Sequence, residues 1–578
     1  MSKNDYQDWS KEKLLHEYGK LLKRKKFGIV WDDKTEEVAE RCKISLPVLK
    51  DEKTKSFSVD KNGINHIFIE GDNYHTLSVL NYTHKKKIDV IYIDPPYNTG
   101  NKSWKYNNNY IEKDDRYKHS KWLSFMSKRL RLAKNLLTDE GIILVTIDDH
   151  EMFTLGLLMN EIFEENNHLG TICIVNKADG RSDDKFIATA HEYMLVYAKN
   201  SDKAVINNLP LSDEEINKIY PLTDNVSGYK LKPAMSGGVA SLKTDRPNLF
   251  FPIYYNPETS MFSINKKQDY VQILPIDNKA TERRWSFGKD KFIQRINNSE
   301  LICKKSKNTD NYIIFRKVRA KNETKTKSFW YKPEYNSAAH GTKLIESILG
   351  LNRAFEYPKS LYAVIDSLIV SSKKNSIVLD FFAGSGTTGH AVLELNKKDG
   401  GRRQFILCTD NQDNNGSGIS IATDICYPRI RNVMTGYSVG NKNILGLGGN
   451  LRYYKTAFVD NIKTDNDKRV LTSQCAEMLC LAETTFNEVA NKQGLFAIYE
   501  NQKLITGIVF DEDAITDFKK EVSKYNKPVV VYVFSYDHTY NKEEFEDIDN
   551  LKDVKPIPEV ILNVYRKIYK ELYKPRNL

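Results

Sequence analysis

The run Ile88-Asp89-Val90-Ile91-Tyr92-Ile93 stops at Asp94-Pro95-Pro96-Tyr97. An apolar, β-branched run of that length reads as a buried parallel strand. Two successive prolines end it, since each fixes φ and removes a backbone donor. The carbonyls before and within the pair are then left with few local partners. The result is a stiff turn at a strand's C-terminal end, carrying one carboxylate, bare carbonyls and an aromatic ring. Open α/β sheets bind their ligands at such ends. Asp-Pro also opens ordinary turns, so these four residues alone do not separate a site from a bend.

A second stretch decides between them. Ser376-Ile377-Val378-Leu379-Asp380-Phe381-Phe382-Ala383-Gly384-Ser385-Gly386-Thr387-Thr388 is again a short apolar strand ending in an acid. A glycine turn then runs into a helix expected from near Thr387, where glycines allow close backbone approach and the helix start offers unpaired N–H groups. No P-loop lysine is present, and Phe-x-Gly-x-Gly is not the dinucleotide spacing, so both phosphate readings fare poorly.

Together the two stretches resemble the amino-methyltransferases that modify DNA. In that family the Phe-x-Gly-x-Gly loop binds S-adenosyl-L-methionine and Asp-Pro-Pro-Tyr binds the target base. The tetrapeptide precedes the cofactor loop here, which looks like the β-class permutation of the N6-adenine enzymes. The longer wording, Asp94-Pro-Pro-Tyr-Asn-Thr-Gly100 and Tyr117-Lys-His-Ser-Lys-Trp-Leu-Ser-Phe-Met126, looks like the modification subunit of Type III restriction–modification systems. The resemblance implies an α/β fold. It would be a Rossmann-like, circularly permuted S-adenosylmethionine-dependent methyltransferase sheet with an inserted target-recognition domain and a small C-terminal α/β domain. It implies catalytic roles for Asp94, Pro95, Pro96 and Tyr97, and cofactor contact by Asp380, Phe381, Phe382, Ala383, Gly384 and Gly386. The implied reaction is site-specific methylation of adenine N6 in duplex DNA, with the base flipped out of the stack. An acid as first letter favours adenine, because the family's N4-cytosine enzymes more often carry Ser there. The rivals are an idle DNA-specificity subunit and an amino-methyltransferase acting on cytosine N4 or RNA.

Lys plus Arg (87) exceed Asp plus Glu (76), a net charge of +11. That excess suits a polyanionic partner, although surplus lysine on solvated faces gives the same balance. Seven scattered cysteines without a Cys-x-x-Cys pair, and no clustered histidines, speak against a zinc site or a disulfide framework and suit a reducing cytosol. No metal is expected. With a polar N-terminus and no apolar run of membrane-spanning length, the expectation is a soluble, cytoplasmic protein.

In chain order, residues 1–60 read as a basic helical lead-in, with Leu14, Leu15, Tyr18, Leu21 and Leu22 at helical spacing before Lys23-Arg24-Lys25-Lys26. Residues 61–200 form the first methyltransferase part. There Asp72 follows the strand His66–Glu70; in the family that acid lies near the cofactor's adenine, and it also suits a helix N-cap. The polar, aromatic stretch Asn101–Tyr117 is long for a connection and is expected to be a functional loop. Asp148-Asp149-His150 is expected to cap a helix from near Glu151. Residues 201–335 carry interleaved basic and aromatic residues and match the family's target-recognition interval, with Arg283, Arg284, Arg316 and Arg319 as candidates for DNA contact. Trp285, Phe287 and Phe250 equally suit a core. Residues 336–442 form the second methyltransferase part, in which Phe355-Glu-Tyr-Pro358-Lys359 resembles the family's tenth motif beside the methionine half of the cofactor. Lys359 would pair with that cofactor's carboxylate or with a surface acid. Asp410 ends the strand Gln404–Cys408 and would hold the ribose. Residues 443–578 read as a separate α/β unit for assembly, with a homodimer and a separate ATP-dependent restriction subunit as the implied partners.

Overall fold

The computed structural model describes residues 10–15, 29, 31–60, 63–106, 109–112, 114–182, 184–306, 311–352, 355–411, 418–460, 464–536, 540 and 542–573. They divide into two compact units, one made of 1–207 with 326–578 and the other of 208–325.

The larger unit is built on one sheet, whose main path has ten strands: β1 (Ser45–Asp51), β2 (Asn65–Glu70), β3 (Ile88–Ile93), β4 (Leu137–Ile147), β5 (His168–Val175), β6 (His191–Ala198), β7 (Phe329–Trp330), β8 (Ile377–Asp380), β9 (Gln404–Thr409) and β10 (Asn450–Asp460). Their spatial order is β1-β10-β2-β9-β8-β3-β4-β6-β5-β7. From β10 to β4 the pairings are parallel, while β6 runs antiparallel to both β4 and β5. The central strands are buried along most of their length, as parallel strands covered by helices on both faces must be. The covering helices include α1 (Asn73–Thr83), α2 (Lys118–Leu136), α3 (Met152–Phe163), α4 (Leu361–Ser371) and α5 (Thr387–Asp399).

Chain order and spatial order disagree in an informative way. β8 lies between β9 and β3, although some 280 residues separate it from β3. The register Val378↔Val90 and Leu379↔Ile91 puts the C-terminal ends of β8 and β3 side by side.

Three boundaries differ from those read in the sequence. The lead-in 1–60 supplies β1, which pairs with β10 from Ser45↔Asp460 to Asp51↔Tyr454. Of its helical stretch only 10–15 is described; Tyr18, Leu21, Leu22 and the basic cluster lie outside the described residues. Phe329 and Trp330 belong to the main sheet, beside Cys173 and Ile174, and not to the inserted region. The C-terminal region does not start as a separate unit at 443, because β10 is a full member of the main sheet. A five-stranded sheet follows (Asn487–Lys492, Phe496–Glu500, Ile505–Val509, Val529–Phe534, Leu551–Ile557). Its Ile508, Val530 and Tyr532 share one apolar cluster with Leu77 and Leu80 of α1. A sheet with two apolar faces must cover both, and one of them is covered by the methyltransferase core.

The smaller unit holds a four-stranded antiparallel sheet (Leu222–Thr223, Gly228–Pro233, Tyr312–Arg319, Leu301–Lys305) and a three-stranded one (Met261–Ser263, Ile253–Asn256, Val271–Ile273). Trp285, Phe251 and Phe292 form its core, and the Trp285 indole donates to the Phe251 carbonyl at 2.8 Å.

Candidate active site

Asp94 leaves β3 next to β4, where Ile93 lies against Val145. The next β4 residue, fully buried Thr146, donates its hydroxyl to Asp94 Oδ1 at 2.7 Å. Because β6 is antiparallel, its N-terminal end meets the C-terminal ends of its neighbours and brings Glu192 to the same edge. The Tyr97 hydroxyl donates to Glu192 Oε2 at 3.2 Å. Burial, then the charges of Asp94 and Glu192, push that phenol well above its usual pKa.

Of the carbonyls freed by the prolines, one is taken: Pro96 accepts the Trp122 indole N–H at 2.7 Å. Among the described residues nothing donates to the Pro95 carbonyl. Asn98 follows in the left-handed region (φ +59) and donates to buried Glu151 at 2.5 Å, an oxygen that His119 Nδ1 shares at 2.6 Å. The stretches 94–100 and 117–126 are thus bolted together. Asn101–Tyr106 and Asn109–Glu112 then form a hairpin instead of the expected loop. Asp148 does not cap α3 through its side chain. It binds the His150 main-chain N–H and ring nitrogen, both at 3.0 Å, a tight local turn that outcompetes the cap.

On the neighbouring strand, Asp380 is buried and turned into its own loop. Its carboxylate accepts from the Phe382 N–H at 3.0 Å and the Thr388 hydroxyl at 2.5 Å, and burial pushes its pKa up to about 7. Asp380 therefore shapes the glycine turn, and Phe381 is likewise packed into the core. Phe382 is partly buried against the Phe125 ring, 5.8 Å between centroids. Gly384 (φ +49) and Gly386 (φ +79) both occupy the left-handed region. A Cβ on Gly384 would lie 3.4 Å from the Phe355 ring, so the tenth-motif stretch closes over this loop. Beneath it, buried Arg429 donates to the Ser385 carbonyl (3.2 Å) and the Thr387 hydroxyl (2.8 Å), and burial lowers its pKa to about 10.

Asp72 caps α1, accepting from the Tyr74 N–H at 2.7 Å and the His75 N–H at 3.4 Å. Its other oxygen lies 3.4 Å from buried Arg129, which also binds Glu36 at 2.7 Å. Asn73 donates to the Phe381 carbonyl at 3.1 Å, linking this network to the glycine loop. Asp410 follows β9 at the same edge, half-buried. Asp413, another acid near it, lies outside the described residues. Pro358 is buried above Gly341, where a Cβ would come within 2.4 Å of the Pro358 carbonyl oxygen. The acids that Lys359 meets stand at the strand ends and not on the surface: it faces Asp94 at 3.1 Å and Glu192 at 2.7 Å, and also binds the Tyr97 hydroxyl. Burial pulls its pKa down, but the two carboxylates outweigh that and hold it above the usual lysine value.

In the smaller unit the four arginines divide. Arg283 pairs with Asp277 at 2.8 Å, and Arg319 with Asp224 at 2.6 Å and Glu300 at 3.0 Å, so both are already neutralised. Arg284 is held by the main-chain carbonyls of Ala240 and Trp285, through Nε and Nη1, and these contacts leave its charge uncompensated. Among the described residues Arg316 has no acid partner either. Trp285 and Phe287 belong to the core, the alternative left open for them.

Thr146, Glu192, Trp122, Arg129 and Arg429 carry no motif that marks them as site residues in the sequence. Arg129 left a signal, standing on the inward face of α2 with Trp122, Met126, Leu130 and Ala133. Glu192 left another, as a charge at the start of an apolar strand.

The site thus consists of two adjacent parallel strand ends, one with a glycine turn and the other with an acid beside a carbonyl that no described residue engages. A DNA methylase family model matches residues 88–425, more than half of the chain, and the chain belongs to that family. It is a DNA methyltransferase with S-adenosyl-L-methionine as its cofactor, built as a mixed α/β fold around one central mixed sheet. The Type II methyltransferase M.KpnI of Klebsiella pneumoniae is 37% identical over 345 residues, 59% of this chain and 79% of that protein. The Type III restriction-modification enzyme EcoPI Mod subunit of Escherichia phage P1 is 33% identical over 423 residues, 67% of this chain. This chain spans 64% of that subunit's length. The solved M1.HpyAVI–SAM complex aligns at 14% identity with a TM-score of 0.26, over 60% of this chain and 92% of that one. Among the described residues no helix is long and apolar enough to cross a membrane.

Proposed function

We propose that the chain methylates adenine N6 at a specific site in duplex DNA, as the modification subunit of a Type III restriction–modification system. The observation that carries the reading is the pairing of Asp94 with a Pro95 carbonyl that no described residue engages, at the end of a strand paired in parallel with the one that leads into the glycine turn. The amino nitrogen of adenine is a poor nucleophile because its lone pair is delocalised into the ring. Asp94 and the Pro95 carbonyl accept its two hydrogens and steer the nitrogen towards tetrahedral geometry. The preorganised acceptors meet the charge that develops there.

The cradle fits S-adenosylmethionine: two left-handed glycines, one closed over by Phe355, lie at the start of α5. Gly384, Gly386, Phe382, Asp410 and Asp72 are the residues that would hold it, with Ala383 and Pro358 lining the turn. When bound, the cofactor supplies an electrophilic sulfonium methyl. Asp94 needs no great basicity, since the proton can leave after the carbon–nitrogen bond has formed. An amino group inside a duplex is out of reach, so the base must be extruded. Tyr97 then stacks on it, a contact worth roughly 1–3 kcal/mol. The 208–325 unit is the candidate target reader, with Arg284 and Arg316 among its cations that have no acid partner among the described residues.

Incubation with methyl-labelled S-adenosylmethionine and duplex DNA tests this, followed by mapping of the labelled base. Label on adenine N6, abolished in Asp94→Ala with cofactor binding kept, is the expected result. Label on cytosine N4 overturns the adenine assignment, and equal loss of transfer and cofactor binding in Asp94→Ala overturns its catalytic role. Homodimerisation is tested by the solution mass of the purified chain. Copurification of an ATP-dependent partner tests the restriction subunit.

A further inference from the structure

Asp94 is held by two donors, and both use one oxygen. The Thr146 hydroxyl and the Lys359 ammonium meet at Oδ1, at 2.7 and 3.1 Å. Lys359 also binds Glu192 Oε2 at 2.7 Å and the Tyr97 hydroxyl. That hydroxyl in turn lies 3.2 Å from the same Glu192 oxygen. The Lys359 and Glu192 side chains are 12% and 7% exposed, against 28% for Asp94. Asp94 is therefore the open member of the group. One ammonium faces two carboxylates, so the trio keeps one net negative charge. A buried ammonium deprived of all partners would be costly, but here Glu192 can hold Lys359 by itself.

We propose that Glu192 and Lys359 are a positioning pair for the target base. Lys359 pins Asp94 through Oδ1, leaving Oδ2 to accept from the entering amino group. Glu192 anchors both Lys359 and the Tyr97 hydroxyl, so the acceptor and the stacking ring are set in one frame. This places Lys359 in the base pocket and not on the cofactor's carboxylate. The inference rests on the reading of Asp94 as the amino-group acceptor.

The test uses the full chain and its Lys359→Met, Lys359→Arg, Glu192→Gln and Glu192→Gln/Lys359→Met variants. Four quantities are read: kcat and KM for methyl transfer to the mapped duplex, the S-adenosylmethionine Kd without DNA, and fluorescence of 2-aminopurine at the target position. Lys359→Met lowers kcat by about 100-fold, the cost of a misplaced reacting group. The cofactor Kd stays within about twofold, and Lys359→Arg recovers part of the loss because it keeps the charge. Glu192→Gln loses a comparable amount, and the double variant is no worse than the weaker single, as expected of residues acting as a unit. The 2-aminopurine signal weakens in all four. A roughly tenfold rise in cofactor Kd with kcat preserved at saturating cofactor would overturn the proposal, and so would additive losses. If Lys359→Met does not fold, Glu192→Gln and Lys359→Arg carry the same comparison. Wild-type transfer to adenine checks the Asp94 reading separately: an inactive wild type refutes that reading, whereas an active wild type with unimpaired variants refutes the pairing.

Discussion

Replacing Trp122 with Phe should damage catalysis more than it damages the fold. Trp122 is fully buried in α2, and its indole N–H is the donor to the Pro96 carbonyl, at 2.7 Å. Phenylalanine keeps most of the packing but deserts that carbonyl, which costs about 1–3 kcal/mol. The void left by the missing part of the indole adds about 1 kcal/mol, at roughly 24 cal/mol per Å³. Stability therefore falls by about 2–4 kcal/mol. The catalytic cost has a different origin: Pro96 lies between Pro95 and Tyr97, so a turn freed at that carbonyl lets both groups drift. Drift of about 1 Å costs on the order of 100-fold in kcat. Leu130→Ala is the matched control, two turns along the same helix and equally buried, with an expected loss of about 2–5 kcal/mol. Urea unfolding midpoints and methyl-transfer kcat are measured side by side for both variants. If Trp122→Phe loses no more kcat than Leu130→Ala at equal residual stability, the indole only fills space and the reasoning fails.

What the sequence disclosed here was what a short stretch specifies by itself. Strand β3, the Pro-Pro stop and the glycine turn are local: an apolar run, a missing donor and a positive φ have the same meaning in any fold. The pairing of β8 with β3 was readable only through the family resemblance, because nothing in either strand names the other as its neighbour. Illegible were the groups that act across strands. Thr146 looks like one more residue of an apolar strand until the register sets its hydroxyl on Asp94. Lys359 sits in a stretch that suits a helix entry, and helix entries favour anions; its actual partners come from β3 and β6, some 265 and 167 residues earlier in the chain. The boundary at 443 failed for a related reason. The turn-rich run before Asn450 marks a real break in local pattern, yet a sheet edge recruits whichever strand reaches it, and β10 reaches β2.

Two further outcomes test the cofactor loop. Arg429→Met removes the donors to Ser385 and Thr387 and, with them, a buried charge for which no carboxylate partner is present among the described residues. The S-adenosylmethionine Kd should rise by about tenfold, or about 1.4 kcal/mol, while the thermal midpoint holds or climbs, since loss of an uncompensated buried charge offsets the lost bonds; an unchanged Kd refutes the supporting role. Asp380 governs the pH dependence. Burial raises its pKa from 3.8 to about 7, so the folded chain binds this proton more tightly than the unfolded chain does. The stability it contributes is complete below about pH 4 and is lost as pH rises through 7, a change on the order of 4 kcal/mol. Asp380→Asn mimics the protonated acid: its amide oxygen still accepts from the Phe382 N–H, and its NH₂ can donate to the Thr388 hydroxyl. Between pH 5 and 8 the wild type should therefore lose denaturant resistance relative to Asp380→Asn. Parallel stability profiles for the two proteins would mean that the carboxyl ionises as freely in the fold as in the open chain.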